Sequence, residues 1–222
     1  MRLVASALLF DLDGVLADST RSVIRAWSAW ARRVEPDELL PKVHGRRAIE
    51  TIRATRPHLD AEAELATLVA DEATDNDDTE EIPGARALVS ALPADAWAIV
   101  TSGLREVATA RLVAAGIPIP RVMITAESIE RGKPDPECYL RGAQALGVEP
   151  RDCVVVEDAP IGAAAARAAG MRLIALTTTH RADELEPADL LLPDLTHLAV
   201  SLAERTSGAP PARGRLQIAR RG

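Results

Sequence analysis

Asp11 and Asp13 stand two residues apart in the run LLFDLDG, where an apolar segment gives way to a turn. Further along the chain Thr101-Ser102-Gly103 closes AIVTSG, Lys133 sits in RGKPDP, and Glu157-Asp158 closes VVVED. Four carboxylates brought together repel one another unless a hard cation lies among them, and an all-oxygen set with room for water suits magnesium. A carboxylate held in that way is a competent nucleophile toward phosphorus. A second aspartate two residues on, across a turning chain, can face the leaving oxygen while the first faces phosphorus. A lysine ammonium and a hydroxyl with its backbone N–H complete the set by neutralising the oxygens of a transferring phosphoryl group. Taken singly, each piece has an ordinary structural role: an Asp-Gly turn, a helix N-cap, a solvated lysine. Their coincidence at the ends of successive strands is what points to a site.

Those strands follow from the hydrophobic pattern. Leu3 to Phe10, Trp97 to Val100, Val122 to Ile124, Cys153 to Val156 and Leu173 to Leu176 are apolar runs of the kind buried on both faces of a parallel sheet. Helical patterns separate the later ones: Leu104 to Ala115, Pro136 to Leu146 and Ile161 to Ala169, closed by Gly116, Gly147 and Gly170. Alternation of this kind predicts an α/β, doubly wound, Rossmann-like parallel sheet whose ligands gather beyond the carboxyl ends of the strands. One interval departs from it. Between Val15 and Pro83 only helical patterns occur, with Val23, Ile24, Trp27, Trp30 and Ala31 on one face and Ala61, Leu65, Leu68 and Val69 on another. The chain therefore divides into a core of residues 1–17 and 83–222 and an all-helical insertion of residues 18–82, with Asp18-Ser19-Thr20 capping its first helix and Pro83-Gly84 marking the return. The tail reads either as a helix over Leu198 to Ala203 or as a hairpin of Leu198 to Val200 with Leu216 to Ile218.

Composition narrows the class. The chain has 222 residues, 47% of them apolar and 27% charged, which suits a soluble fold with a sizeable core and neither disorder nor a membrane partner. A net charge of -7 argues against nucleic acid. The acidity is local, because Pro57 to Ala85 holds ten acidic residues and no Lys or Arg, leaving the remainder at +3; such a run reads as the solvated face of helices. Cys138 and Cys153 form neither a disulfide framework nor a CxxC pair, and the opening MRLVASALLF is not a signal peptide, so a cytoplasmic location is expected. Lysine occurs only at 42 and 133 against 24 arginines, so position 133 stands out as a residue chosen for chemistry.

LLFDLDGVLADS, AIVTSG, GKPDPE and VVVEDAPIGAAAARAAGM resemble, in order and spacing, the four signature motifs of the haloacid dehalogenase superfamily. The likeness extends to about Leu192, and the helical insertion resembles that superfamily's small α-helical cap. Within the superfamily HGRRAIETIR, WAIVTSG and RGKPDPECYL are most similar to sugar-phosphate phosphatases of bacteria and yeast, which act on hexose, hexitol, deoxyhexose and glycerol phosphates. The resemblance implies Asp11 as nucleophile and Asp13 as general acid and then base. It implies magnesium held by Asp11, the backbone carbonyl of Asp13 and Asp158, with Glu157 as an outer or alternate ligand, and a phosphoryl group held by Thr101, Ser102 and Lys133. Asp13 favours a phosphatase or phosphomutase over a dehalogenase or an ion pump. A beta-phosphoglucomutase-like activity is disfavoured because the cap lacks the expected His and Lys, and a non-catalytic regulatory role is disfavoured by the intact motifs. His44, Gly45 and Arg46 are candidates for the cap loop that reads the substrate. Trp27 and Trp30 are assigned to the cap's core, and Tyr139 to packing. The expected partner is a small phosphorylated metabolite, with no obligate protein partner.

Overall fold

A computed structural model describes residues 2–34, 45–185, 187–202 and 215–221. Strand β1 (Arg2–Ala5) leads through Ser6 into β2 (Ala7–Phe10), and a two-residue strand β3 (Ala17–Asp18) precedes helices α1 (Thr20–Val34), α2 (Ala48–Thr55) and α3 (Ala61–Thr74). After β4 (Glu80–Glu81) come α4 (Ala85–Ala91), β5 (Trp97–Val100), α5 (Arg105–Ala114), β6 (Met123–Ile124), α6 (Glu137–Leu146), β7 (Cys153–Glu157), α7 (Pro160–Ala168), β8 (Arg172–Leu176), β9 (Leu190–Leu192), β10 (Leu198–Leu202) and β11 (Leu216–Arg220).

Among the described residues six strands form a parallel sheet in the order β6-β5-β2-β7-β8-β9. From β2 the chain crosses first to β5 on one side and later to β7 on the other, so the carboxyl end of β2 is a topological switch point and a natural place for a ligand. Successive residues of the central strands point to opposite faces. Leu8, Phe10, Ile99, Val154 and Val156 enter one hydrophobic layer, while Leu9, Ala98, Val100 and Val155 enter the other. The helix ends read from Gly116, Gly147 and Gly170 stand, each glycine adopting a positive φ.

Three expectations need correction. Leu3 to Phe10 is two strands in two sheets: β1 alternates exposed and buried residues and pairs antiparallel with β11, whereas β2 is buried throughout. The Ser6 N–H, donating to the Asp152 carbonyl at 2.7 Å, marks the break. The interval before Pro83 is not purely helical, because β3 and β4 pair as a short ribbon, Ala17 with Glu81 and Asp18 with Glu80, at the root of the insertion. Two residues are too few to show a period in the sequence. The main sheet also gains an unforeseen edge strand, β9. Of the two readings of the tail the structure has the hairpin, with Val200 opposite Ile218.

Helices α1 to α3 have their own hydrophobic cluster, in which Trp27 and Trp30 meet edge to face with ring centroids 5.4 Å apart. Much of the acidic run is paired rather than merely solvated. Asp75 and Asp78 both bind Arg25, at 2.7 and 2.6 Å, and Glu64 takes Arg33 and the Trp30 indole N–H. No helix among the described residues is long and apolar enough to cross a membrane.

Candidate active site

The ends of β2, β5 and β7 lie side by side, so Asp11, Thr101 and Glu157-Asp158 share one edge of the sheet. Asp11 is fixed by its own N–H, which donates to the Val156 carbonyl at 3.0 Å. The chain then turns tightly, the Leu12 carbonyl accepting from the N–H groups of Val15, Leu16 and Ala17. Gly14 is needed in this turn. Its φ is +80°, and a Cβ there would lie 2.3 Å from Asp158 Oδ2, so only glycine lets the loop close on Asp158.

Lys133 reaches the same point from the loop before α6. Its Nζ lies 3.0 Å from Asp11 Oδ1 and 2.7 Å from Glu157 Oε1, with all three side chains buried. Glu157 is held on every side. Its Oε1 also accepts from the Tyr139 hydroxyl at 2.8 Å, and its Oε2 accepts from the N–H groups of Asp158 and Ala159. Gly162, one turn into α7, makes room for it, since a Cβ at that position would fall 1.6 Å from Glu157 Oε1. In this arrangement Glu157 buttresses Lys133. Tyr139, assigned to packing from the sequence, is a hydrogen-bond donor in that buttress.

Asp158 is different. Its Oδ2 accepts from Thr179, but its Oδ1 is buried with no hydrogen-bond partner. Oxygens of Asp11, Glu157 and Asp158 lie within 4.8 Å of one another. Burial pushes the Asp11 carboxyl up to about 7 despite the opposing Lys133, and burial raises Asp158 well above the usual carboxylate range, with Glu157 and Asp11 adding to it. Burial works against the Lys133 charge, but Asp11 and Glu157 outweigh it and hold the ammonium protonated. Three buried carboxylates around one ammonium, with one oxygen orphaned, form a site deficient in positive charge. A small oxygen-loving dication fits this donor set, and Asp13, whose backbone carbonyl is a further oxygen donor, directly precedes Gly14, which packs against Asp158.

The phosphate-binding candidates divide. Thr101 is buried and its Oγ1 accepts from the Gly103 N–H at 3.0 Å, which shapes the loop. Ser102 lines the cavity over Asp11, and its hydroxyl donates to the Gly45 carbonyl at 2.8 Å. The loop before α2 thus rests on the end of β5. Arg46 lines the same cavity, while His44 lies outside the described residues. Arg47 fastens the loop, donating to the carbonyls of Ile129 and Glu130 at 3.2 and 2.8 Å and pairing with Glu50, which accepts from the Gly132 N–H.

Several partners have no motif to announce them. At the start of α1 the Asp18 carboxylate accepts from the Thr20 N–H at 3.2 Å, while Ser19 donates to Asp13 Oδ1 at 2.5 Å, and Arg111 of α5 donates to the same oxygen at 2.9 Å. Glu72 of α3 meets Arg111 from the other side. The Ser19 hydroxyl next to a helix start could have suggested a second role, but Arg111 and Glu72 are hidden among many arginines and a run of acids.

Comparison with known proteins bears on this geometry. The family model described as "Hydrolase: haloacid dehalogenase-like hydrolase" matches residues 5–170. Hexitol phosphatase A of Escherichia coli K12 is 46% identical over 200 residues, covering 87% of this chain and 93% of that protein. Glycerol-1-phosphate phosphohydrolase 2 of Saccharomyces cerevisiae is 33% identical over 200 residues, covering 84% of this chain and 80% of its own. A hydrolase of Pseudomonas syringae of known structure superposes with a TM-score of 0.77 at 26% identity, covering 86% of this chain and 94% of that one.

Proposed function

The chain belongs to the haloacid dehalogenase-like hydrolases and acts on phosphate monoesters, and we propose that it is a magnesium-dependent phosphatase of small sugar or polyol phosphates working through an aspartyl-phosphate on Asp11. The observation that carries this reading is the buried cluster of Asp11, Lys133 and Asp158 with the orphaned Asp158 Oδ1. The names of the relatives supply the substrate class.

Asp11, Asp158 and the Asp13 carbonyl would hold magnesium, which supplies positive charge against the phosphoryl oxygens and the nucleophile's carboxylate. Asp11 attacks phosphorus, the bond from phosphorus to the ester oxygen breaks, and Asp13 gives its proton to the departing alkoxide. Asp13 then takes a proton from water, and the resulting hydroxide cleaves the acyl phosphate and frees Asp11. Lys133, 3.0 Å from Asp11, stays charged through both steps and neutralises phosphoryl charge where it develops. Thr101 and Ser102 complete the cradle. Because the Ser102 hydroxyl donates to the Gly45 carbonyl, a phosphoryl oxygen must compete with the cap loop for it, which links substrate binding to the position of residues 18–82 as a cap.

Phosphate release from an aryl phosphate and from a panel of sugar, polyol and glycerol phosphates, with magnesium or with chelator, tests the proposal. Release that needs magnesium, is lost in Asp11→Asn and is fastest on hydroxylated esters supports it. Activity unchanged in Asp11→Asn, or no release from any ester, overturns it.

A further inference from the structure

The cavity above Asp11 and Asp13 has a wall that the phosphoryl chemistry leaves unused. Arg111, from the core helix α5, and Glu72, from α3 of the insertion, face each other there and are 3% and 9% exposed. Their ion pair, Nη2 to Oε1 at 3.2 Å, crosses from one part of the molecule to the other. Arg111 Nη1 donates to Asp13, but Nε makes no hydrogen bond among the described residues and Nη2 meets Glu72 without hydrogen-bond alignment. A guanidinium offers five donors. A buried one with donors left over is costly unless something entering the cavity takes them.

The charges at this wall say what that is. Arg111 stands between two carboxylates, Asp13 and Glu72, so this pair has no spare positive charge with which to hold a second anionic group, and Arg46 is the other cation lining the cavity. The pair offers donors and acceptors instead, with the Trp27 side chain lining the same cavity. That combination fits a neutral hydroxylated chain. We infer that Arg111 and Glu72 form a subsite for a hydroxyl of the leaving group close to the ester, Arg111 donating to the hydroxyl oxygen and Glu72 accepting its proton. This rests on the phosphatase reading above and adds the residues that select its substrate. Because Arg111 also holds Asp13, the hydroxyl is anchored one hydrogen bond from the group that protonates the ester oxygen. Esters without that hydroxyl would leave a buried ion pair uncompensated, the situation in which discrimination is strongest.

The test compares kcat/KM for a hexitol 6-phosphate and for n-hexyl phosphate, which match in chain length and differ in hydroxyls. The magnesium-loaded full chain is expected to prefer the hexitol ester by about 100-fold or more. In Glu72→Gln, which keeps volume and one acceptor but loses the charge, that preference is expected to fall about tenfold or more, carried mainly by the hexitol ester. Arg111→Lys, which keeps the charge and loses Nε, should reduce the same ratio. A wild-type chain that treats the two esters alike, or a Glu72→Gln chain whose ratio is unchanged because both rates fall together or neither falls, overturns the subsite. A wild-type chain that releases phosphate from neither these esters nor an aryl phosphate instead overturns the phosphatase reading.

Discussion

Replacing Asp158 by Asn should make the metal-free protein more stable while abolishing its response to magnesium. In the wild type the Asp158 carboxylate is buried beside Asp11 and Glu157, and Oδ1 has no partner. A buried acceptor left unsatisfied costs about 1–3 kcal/mol, and more when charged. Asn keeps an oxygen for the Thr179 hydroxyl, removes one of three crowded negative charges and places an N–H donor where the orphaned acceptor stood. The expected gain is about 1–3 kcal/mol, or about 2–4 °C in melting midpoint for each kcal/mol in a chain of this size. Magnesium at a hundred times its dissociation constant should add about 2.7 kcal/mol to the wild type and little to the variant. Circular dichroism melts of both proteins at pH 8, with chelator and then with magnesium, read both effects. A variant less stable than wild type in chelator, or equally stabilised by magnesium, would refute the reasoning that Asp158 is held in place for a cation.

Two further outcomes follow from the same charges and contacts. Burial raises Asp11 to about 7 and Asp158 well above 3.8 in the fold, so the unfolded chain releases these protons first. Their contribution to stability is fully present below pH 3.8; the Asp11 share is lost as pH rises through about 7, and the Asp158 share is likewise lost with rising pH. Without metal, this site should therefore favour the fold more at pH 5 than at pH 8, and magnesium should raise the midpoint more at pH 8, as metal competes with protons; a magnesium shift larger at pH 5 would contradict this. Gly162→Ala, on a helix where alanine ordinarily adds about 0.5–1 kcal/mol, should instead cost about 1–3 kcal/mol by overpacking. The new methyl collides with the carboxylate that supports Lys133, so activity should fall as well; urea melts showing a stabilised variant with full activity would remove Glu157 from its place behind Lys133.

The parts of the fold that could be read in advance were those with a local period or a local punctuation mark. The strands of the main sheet that carry the site are continuous apolar runs ending in Asp, Thr or Glu, and their helices end at glycines. The α/β core, the helical insertion and the meeting of Asp11, Thr101, Lys133 and Asp158 could all be read from those features. What escaped depends on contacts between distant segments. Leu3 to Phe10 looks continuous because apolar residues run through the break at Ser6, and only pairing with β11 shows that β1 belongs to another sheet. Arg111 sits in the last turn of α5, where a basic residue usually serves the helix dipole, and nothing local shows that it reaches Asp13, ninety-eight positions away. Glu72 was concealed by the acids around it, most of which pair with arginines at the surface. Tyr139 carried a usable signal: as the one tyrosine in the chain, three residues into the helix that follows Lys133, it could have been read as a polar partner.

The central claim is that Asp11 carries the phosphoryl group. Its direct test is to quench the protein during turnover of a hexitol phosphate, reduce with borohydride and map the modified residue by peptide mass spectrometry. The account predicts that position 11 is converted to homoserine, only when substrate and magnesium are both present. Steady turnover with Asp11 unmodified and reduction at another carboxylate would contradict it.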